Sequence, residues 1–120
     1  MKSPVLEDKM NLSRQYLYDM ENLAGKLMGE FASIPYEVFS GDPLQIDTAV
    51  RRLTIMKERW DTMPPEGKRG LDIVNWPAVT GQWDRKAARF KNVDVRQVFE
   101  TITKKLPEMS GKIQELMKGH

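Results

Sequence analysis

The chain has 120 residues, 19 Lys and Arg against 17 Asp and Glu, and no cysteine. Such a length suits one domain, here 1-120, with a single core. A net charge of +2 is too balanced to argue for nucleic-acid binding from bulk charge, and the missing cysteines exclude disulfides, thiolate nucleophiles and cysteine–zinc sites.

The first predicted helix runs from about Pro4 to Ser33. Leu6, Met10, Leu17, Met20, Ala24, Leu27 and Phe31 recur at helical steps, with Leu23 and Met28 widening the stripe. A helix of that length spans on the order of 40 Å, which suits a bundle or a dimer seam. Pro35 breaks the pattern, and a short turn from Tyr36 to Phe39 follows. Asp42 as N-cap and Pro43 at the first helical position open a second helix. Its stripe is Ile46, Val50, Leu53, Met56, Trp60 and Met63, and Pro64–Pro65 ends it. Glu66 to Asp72 reads as a polar connection.

A third helix is predicted to begin near Asn75, with Trp76, Val79, Trp83, Ala87 and Phe90 on one face. Asn92–Val93 makes a corner. Asp94 with Gln97 forms a capping box that opens a fourth helix, striped by Val95, Val98, Phe99, Ile102, Leu106, Met109, Ile113 and Leu116. Pro107 inside it should remove one hydrogen bond and bend it. No segment alternates with period two for long enough to argue a strand. The expected fold is therefore all-α, an antiparallel four-helix up-down bundle, expected to be dimeric.

The chemistry-bearing residues are few. The single histidine is His120, at the terminus, so imidazole acid–base catalysis has almost no place in this chain. EF-hand, Walker and zinc spacings are absent, and neither a cofactor nor a metal is expected. Glu58 sits among Arg51, Arg52 and Arg59, where local pairing is expected and no catalytic role. No apolar run reaches a membrane span, which takes about 18 residues. The opening MKSPVLEDKMNLSRQ carries acids early and has no apolar core, so the expectation is a cytoplasmic protein without a secretory signal.

From Gly41 to Lys118 a set of marks falls in a definite order. They are Asp42 to Val50 (DPLQIDTAV), Arg51–Arg52–Leu53 leading to Ile55–Met56–Lys57–Glu58, Trp76, Val93–Asp94, and Leu106–Pro107. Their order and spacing resemble the HepT-like branch of the HEPN proteins, the toxin half of bacterial toxin–antitoxin pairs. That resemblance implies a homodimer with an RNase centre where two motif helices meet. Its Arg and His would stabilise charge and move a proton during attack by an RNA 2′-hydroxyl. It also implies a minimal nucleotidyltransferase antitoxin as partner, able to add AMP to a motif Tyr.

Laid over the family motif without gaps, this chain holds Trp83 in the Arg slot, Ala88 in the His slot and Phe90 in the Tyr slot. Only the polar second position survives, as Asp84. Trp83 has no fixed positive charge, Ala88 cannot move a proton, and Phe90 has no hydroxyl to accept AMP. The expectation is a HepT-like protein without RNase activity. Two alternatives stay open, because Arg85, Lys86, Arg89 and Lys91 cluster around Asp84. They could bind RNA without cutting it, or they could belong to a rebuilt ribonuclease centre.

Overall fold

The computed structural model describes the backbone of residues 4–118 and the side chains of residues 13–118. His120 lies outside the described residues, as do the side chains of Leu6 and Met10. The elements are α1 (Pro4–Phe31), α2 (Tyr36–Ser40), α3 (Pro43–Thr62), α4 (Pro65–Lys68), α5 (Trp76–Thr80), β1 (Gln82–Asp84), β2 (Arg89–Lys91), α6 (Val95–Glu100) and α7 (Leu106–Lys118). Residues Thr101–Lys105 form a π-helical turn joining α6 to α7. Helix accounts for 73% and strand for 6%, so the all-α class holds.

The α1 stripe is buried as its spacing predicts. Leu17, Met20, Ala24, Leu27 and Phe31 all lie in the core, and α1 packs against both α3 and α7. Pro35 ends the break and opens α2, which carries Phe39 into the core. Phe39 stacks edge-on against Phe31, with ring centroids 5.6 Å apart, and lies 5.5 Å from Phe99. This one-turn helix therefore ties the end of α1 to α6 through three aromatic rings.

Asp42 caps α3 as expected. Its Oδ1 accepts hydrogen bonds from the backbone N–H groups of Leu44 at 3.0 Å and Gln45 at 3.3 Å. Val50, Leu53, Met56 and Trp60 of the predicted stripe are buried, and Ile46 is partly buried against the core. Pro64 stands just past the end of the helix, since its ring cannot continue it.

Asp94 caps α6, accepting from the Gln97 backbone N–H at 3.1 Å. The reciprocal half of the predicted capping box is different. The Gln97 amide donates to the other Asp94 oxygen, because the Asp94 backbone N–H is already donated to the Ala78 carbonyl at 2.9 Å. Pro107 is accommodated by the π turn one step before it. There the Leu106 N–H reaches back to the Thr101 carbonyl, five residues away. A widened turn is where a helix absorbs a proline, whose ring crowds the preceding turn.

The third expected helix is not formed as predicted. Only five residues, Trp76–Thr80, are helical, and the expected helix face at Trp83, Ala87 and Phe90 lies in a β-hairpin and its turn. The strands pair Gln82 with Lys91, Trp83 with Phe90 and Asp84 with Arg89. The tie between Asp94 and Ala78 gives the reason. A helix continued to Lys91 would put that residue about 20 Å from Ala78. The three steps from Lys91 to Asp94 reach only about 10 Å. The chain between Ala78 and Asp94 must close on itself, and a hairpin does so.

Gly81 makes the exit from α5 possible. Its φ of 58° and ψ of −150° are accessible to glycine alone. A Cβ there would meet the Lys91 carbonyl oxygen at 2.5 Å and crowd the Val93 side chain.

Candidate functional site

The hairpin holds Trp83, Asp84, Ala88 and Phe90, the residues that the sequence comparison expects at the motif positions. Trp83 and Phe90 are cross-strand partners and so share one face of the ribbon. Their ring centroids are 5.0 Å apart in an edge-on contact. Arg51 reaches over from α3 and sets its guanidinium 5.1 Å from the Trp83 ring centre. The same Arg51 donates from Nε to Asp47 Oδ2 at 2.8 Å. The cation beside Trp83 therefore comes from another helix.

Asp84 shapes the turn. Its Oδ1 accepts from the backbone N–H groups of Lys86 at 3.0 Å and Ala87 at 3.3 Å. An aspartate that bonds the backbone two residues ahead mimics a turn and stabilises the reversal. Ala88 completes that reversal with a φ of 51°, in the left-handed region that costs a Cβ-bearing residue about 1 kcal/mol or more. Ala88 is thus a strained turn residue with a methyl group. Asn92, at φ 61°, carries the second left-handed step and is a residue type that tolerates it.

Arg85, Lys86, Arg89 and Lys91 are all exposed on this one hairpin. None of the four is in an ion pair among the described residues. Arg89 and Lys91 flank Phe90 on the strand nearer α3. The chain from Arg89 to Val95 forms one wall of a groove of about 370 Å³, and the other wall is the start of α3, with Pro43, Ile46, Asp47 and Val50.

The charged set around Glu58 is arranged differently from its expected local pairing. Arg51 turns to Asp47, and Arg52 crosses to Glu30 of α1 at 3.0 Å. Glu58 has no ion-pair partner among the described residues. Among the described residues no group of three or more His, Asp or Glu could hold a metal ion, and no helix is long and apolar enough to cross a membrane.

The sequence singled out candidate residues here but not their secondary structure, the Arg51 contact or the groove. The signals were faint. Gln82-Trp83-Asp84 and Arg89-Phe90-Lys91 alternate polar, aromatic, polar, but three residues cannot establish a period. Trp83, Ala87 and Phe90 also fit helical spacing, and Arg85 to Arg89 is a run of strong helix formers.

No family model matches the chain, and no solved structure matches it. Two curated proteins do. One, named "Putative RNase TTE0752", from Caldanaerobacter subterraneus subsp. tengcongensis, is 28% identical over 108 residues, covering 90% of this chain and 96% of that protein. The other, named "Probable ribonuclease HepT", from Thermococcus cleftensis, is 28% identical over 106 residues, covering 88% of this chain and 96% of its own length. Similarity that runs nearly end to end along both relatives, on a chain whose α3, α6 and α7 carry the expected sequence marks, supports assigning this protein to the HepT-like branch of the HEPN family.

Proposed function

We propose that this chain is a HepT-like interaction module that has lost RNase activity. It acts in the cytoplasm as a homodimer and docks a nucleotidyltransferase-type antitoxin in a toxin–antitoxin pair. One observation carries the reading: Trp83, Phe90 and Ala88, which the ungapped register sets at the motif positions, are two packed rings and a turn methyl. None of these side chains can carry a proton or fix a phosphate, which is what general acid–base and electrostatic catalysis of RNA cleavage require. Asp84 is held by two backbone N–H groups and serves the turn. Phe90 offers no hydroxyl for adenylylation, so silencing of this chain by AMP addition at that slot is excluded from the reading.

The test is an RNA-cleavage assay on the purified chain, with a growth assay on its expression. The expected result is intact RNA and unimpaired growth. Cleavage that disappears in Asp84→Ala or Arg85→Ala would overturn the proposal in favour of a rebuilt ribonuclease. Sedimentation analysis tests the homodimer.

A second reading is RNA binding without cleavage. It is favoured by the four cations without ion-pair partners on the hairpin, Arg85, Lys86, Arg89 and Lys91. That reading expects salt-sensitive RNA binding that weakens in Arg85→Ala and Arg89→Ala.

A further inference from the structure

The groove beside the hairpin has a mixed lining that neither packing nor catalysis accounts for. Its floor is apolar, made by Ile46 from α3 and by Phe90, Val93 and Val95 from the returning chain, over the fully buried Val50. Arg89 and Lys91 belong to the same wall and are exposed, with no ion-pair partner among the described residues. Asp47 is the acidic residue of the lining, and its Oδ2 is engaged by Arg51 at 2.8 Å. An apolar recess rimmed by unpaired cations is complementary to a ligand with an apolar anchor and flanking negative charge. Opposite charge at the rim guides encounter and fixes register, while the recess supplies the affinity.

The lining favours a polypeptide over a nucleic acid. A nucleobase set among Ile46, Val93 and Val95 would leave hydrogen-bonding groups of its edge against aliphatic carbon, which is costly. Sequence-tolerant binding of single strands uses open aromatic faces as stacking platforms. Here Arg51 lies over the Trp83 ring and Phe90 abuts it. A leucine or phenylalanine side chain has no polar edge to satisfy and suits the recess.

We propose that the groove between α3 and β2 docks an acidic segment of a partner protein. One apolar side chain sits against Ile46, Phe90 and Val95, and flanking Asp or Glu residues lie over Arg89 and Lys91. This rests on the reading of the chain as an interaction module and names the surface that module uses.

The test is a fluorescence-anisotropy titration of the full chain with a labelled 12-residue peptide, a central Phe flanked by Glu and Ser. The same peptide with Ser in place of Phe, and a U-rich RNA, are titrated alongside. Saturable binding is expected for the Phe peptide alone. It should weaken about tenfold or more in the double variant Arg89→Glu, Lys91→Glu, equivalent to about 1.4 kcal/mol. Both positions are exposed, and circular dichroism confirms that the variant is folded. Val50→Asp is avoided because that side chain is buried.

No saturable binding at low salt overturns the proposal. So does equal binding of the Ser peptide, equal binding by the charge-reversed variant, or binding of the RNA in preference to the Phe peptide. RNA binding without cleavage removes the peptide site and leaves the non-catalytic reading standing. RNA cleavage in the same samples strikes that reading separately.

Discussion

The helical body and the hairpin both place aromatic residues in contact, and the two contacts differ in how much water they exclude. In the body, Phe39 is 0% exposed and touches two further rings, Phe31 and Phe99, contributed by α1 and α6. On the hairpin, Trp83 meets Phe90 and Arg51 and still leaves 45% of its surface in solvent. Apolar burial stabilises in proportion to the area removed from water. The aromatic contact in the body thus holds three elements together. The one on the hairpin fixes a local shape on a surface that stays available.

Truncation at the two places should therefore have unequal effects. Phe39→Ala removes a fully buried ring at the junction of α1, α2 and α6 and should cost about 3–5 kcal/mol in urea unfolding. Trp83→Ala should cost about 1 kcal/mol or less, with the helical signal in circular dichroism unchanged. Equal losses would break the comparison, because the hairpin would then be part of the core in energetic terms.

A second substitution probes how firmly the hairpin is joined to the body. Gly81→Ala adds a Cβ at a positive φ and drives it toward the Lys91 carbonyl. A destabilisation of about 2–3 kcal/mol is expected from the strained backbone and the overlap. The indole resonance of Trp83 in an NMR spectrum should shift with it. An unchanged resonance would mean that the geometry at Gly81 does not set the hairpin.

The hairpin also contains strain that can be relieved. Ala88 adopts a φ of 51°, which glycine accepts without a Cβ clash. Ala88→Gly should stabilise the chain by about 0.5 kcal/mol. The gain is modest because glycine also raises the entropy of the unfolded chain. A loss of stability would show that the alanine methyl is needed for packing.

What the sequence could and could not reveal follows the same division. The α1 and α3 stripes, the Asp42 cap and the break at Pro35 were legible because each rests on contacts within a few residues. Trp83, Ala88 and Phe90 were legible only as candidate positions, through resemblance to a family motif. Their geometry was not, because it depends on the bond from Asp94 to Ala78 and on Arg51, which lies 32 residues before Trp83 in the chain. Local propensity over Arg85 to Arg89 favours helix, and a closure constraint set by residues outside that run overrides it. The groove was hidden for the same reason, since α3 and β2 meet only after that closure.

The smallest expected effect lies where the hairpin rejoins the body, at Asp94. Its carboxylate accepts from the Gln97 backbone N–H and, next in importance, from the Gln97 side-chain amide, and these bonds hold its pKa below the ordinary aspartate value. A folded-state pKa below the unfolded one means that the unfolded chain binds the proton more readily. The contribution to stability is complete above the unfolded value, about 3.9, and disappears as the pH falls through the folded one. Because Asp94 is exposed, salt screens part of its charge interaction, though the short bonds to Gln97 persist. Urea midpoints measured from about pH 5 down to about pH 2 should therefore fall slightly less steeply in Asp94→Asn, which keeps a capping oxygen and has no proton to gain. Identical slopes would assign the acid sensitivity of this chain to carboxylates of the helical body and leave the hairpin junction indifferent to pH.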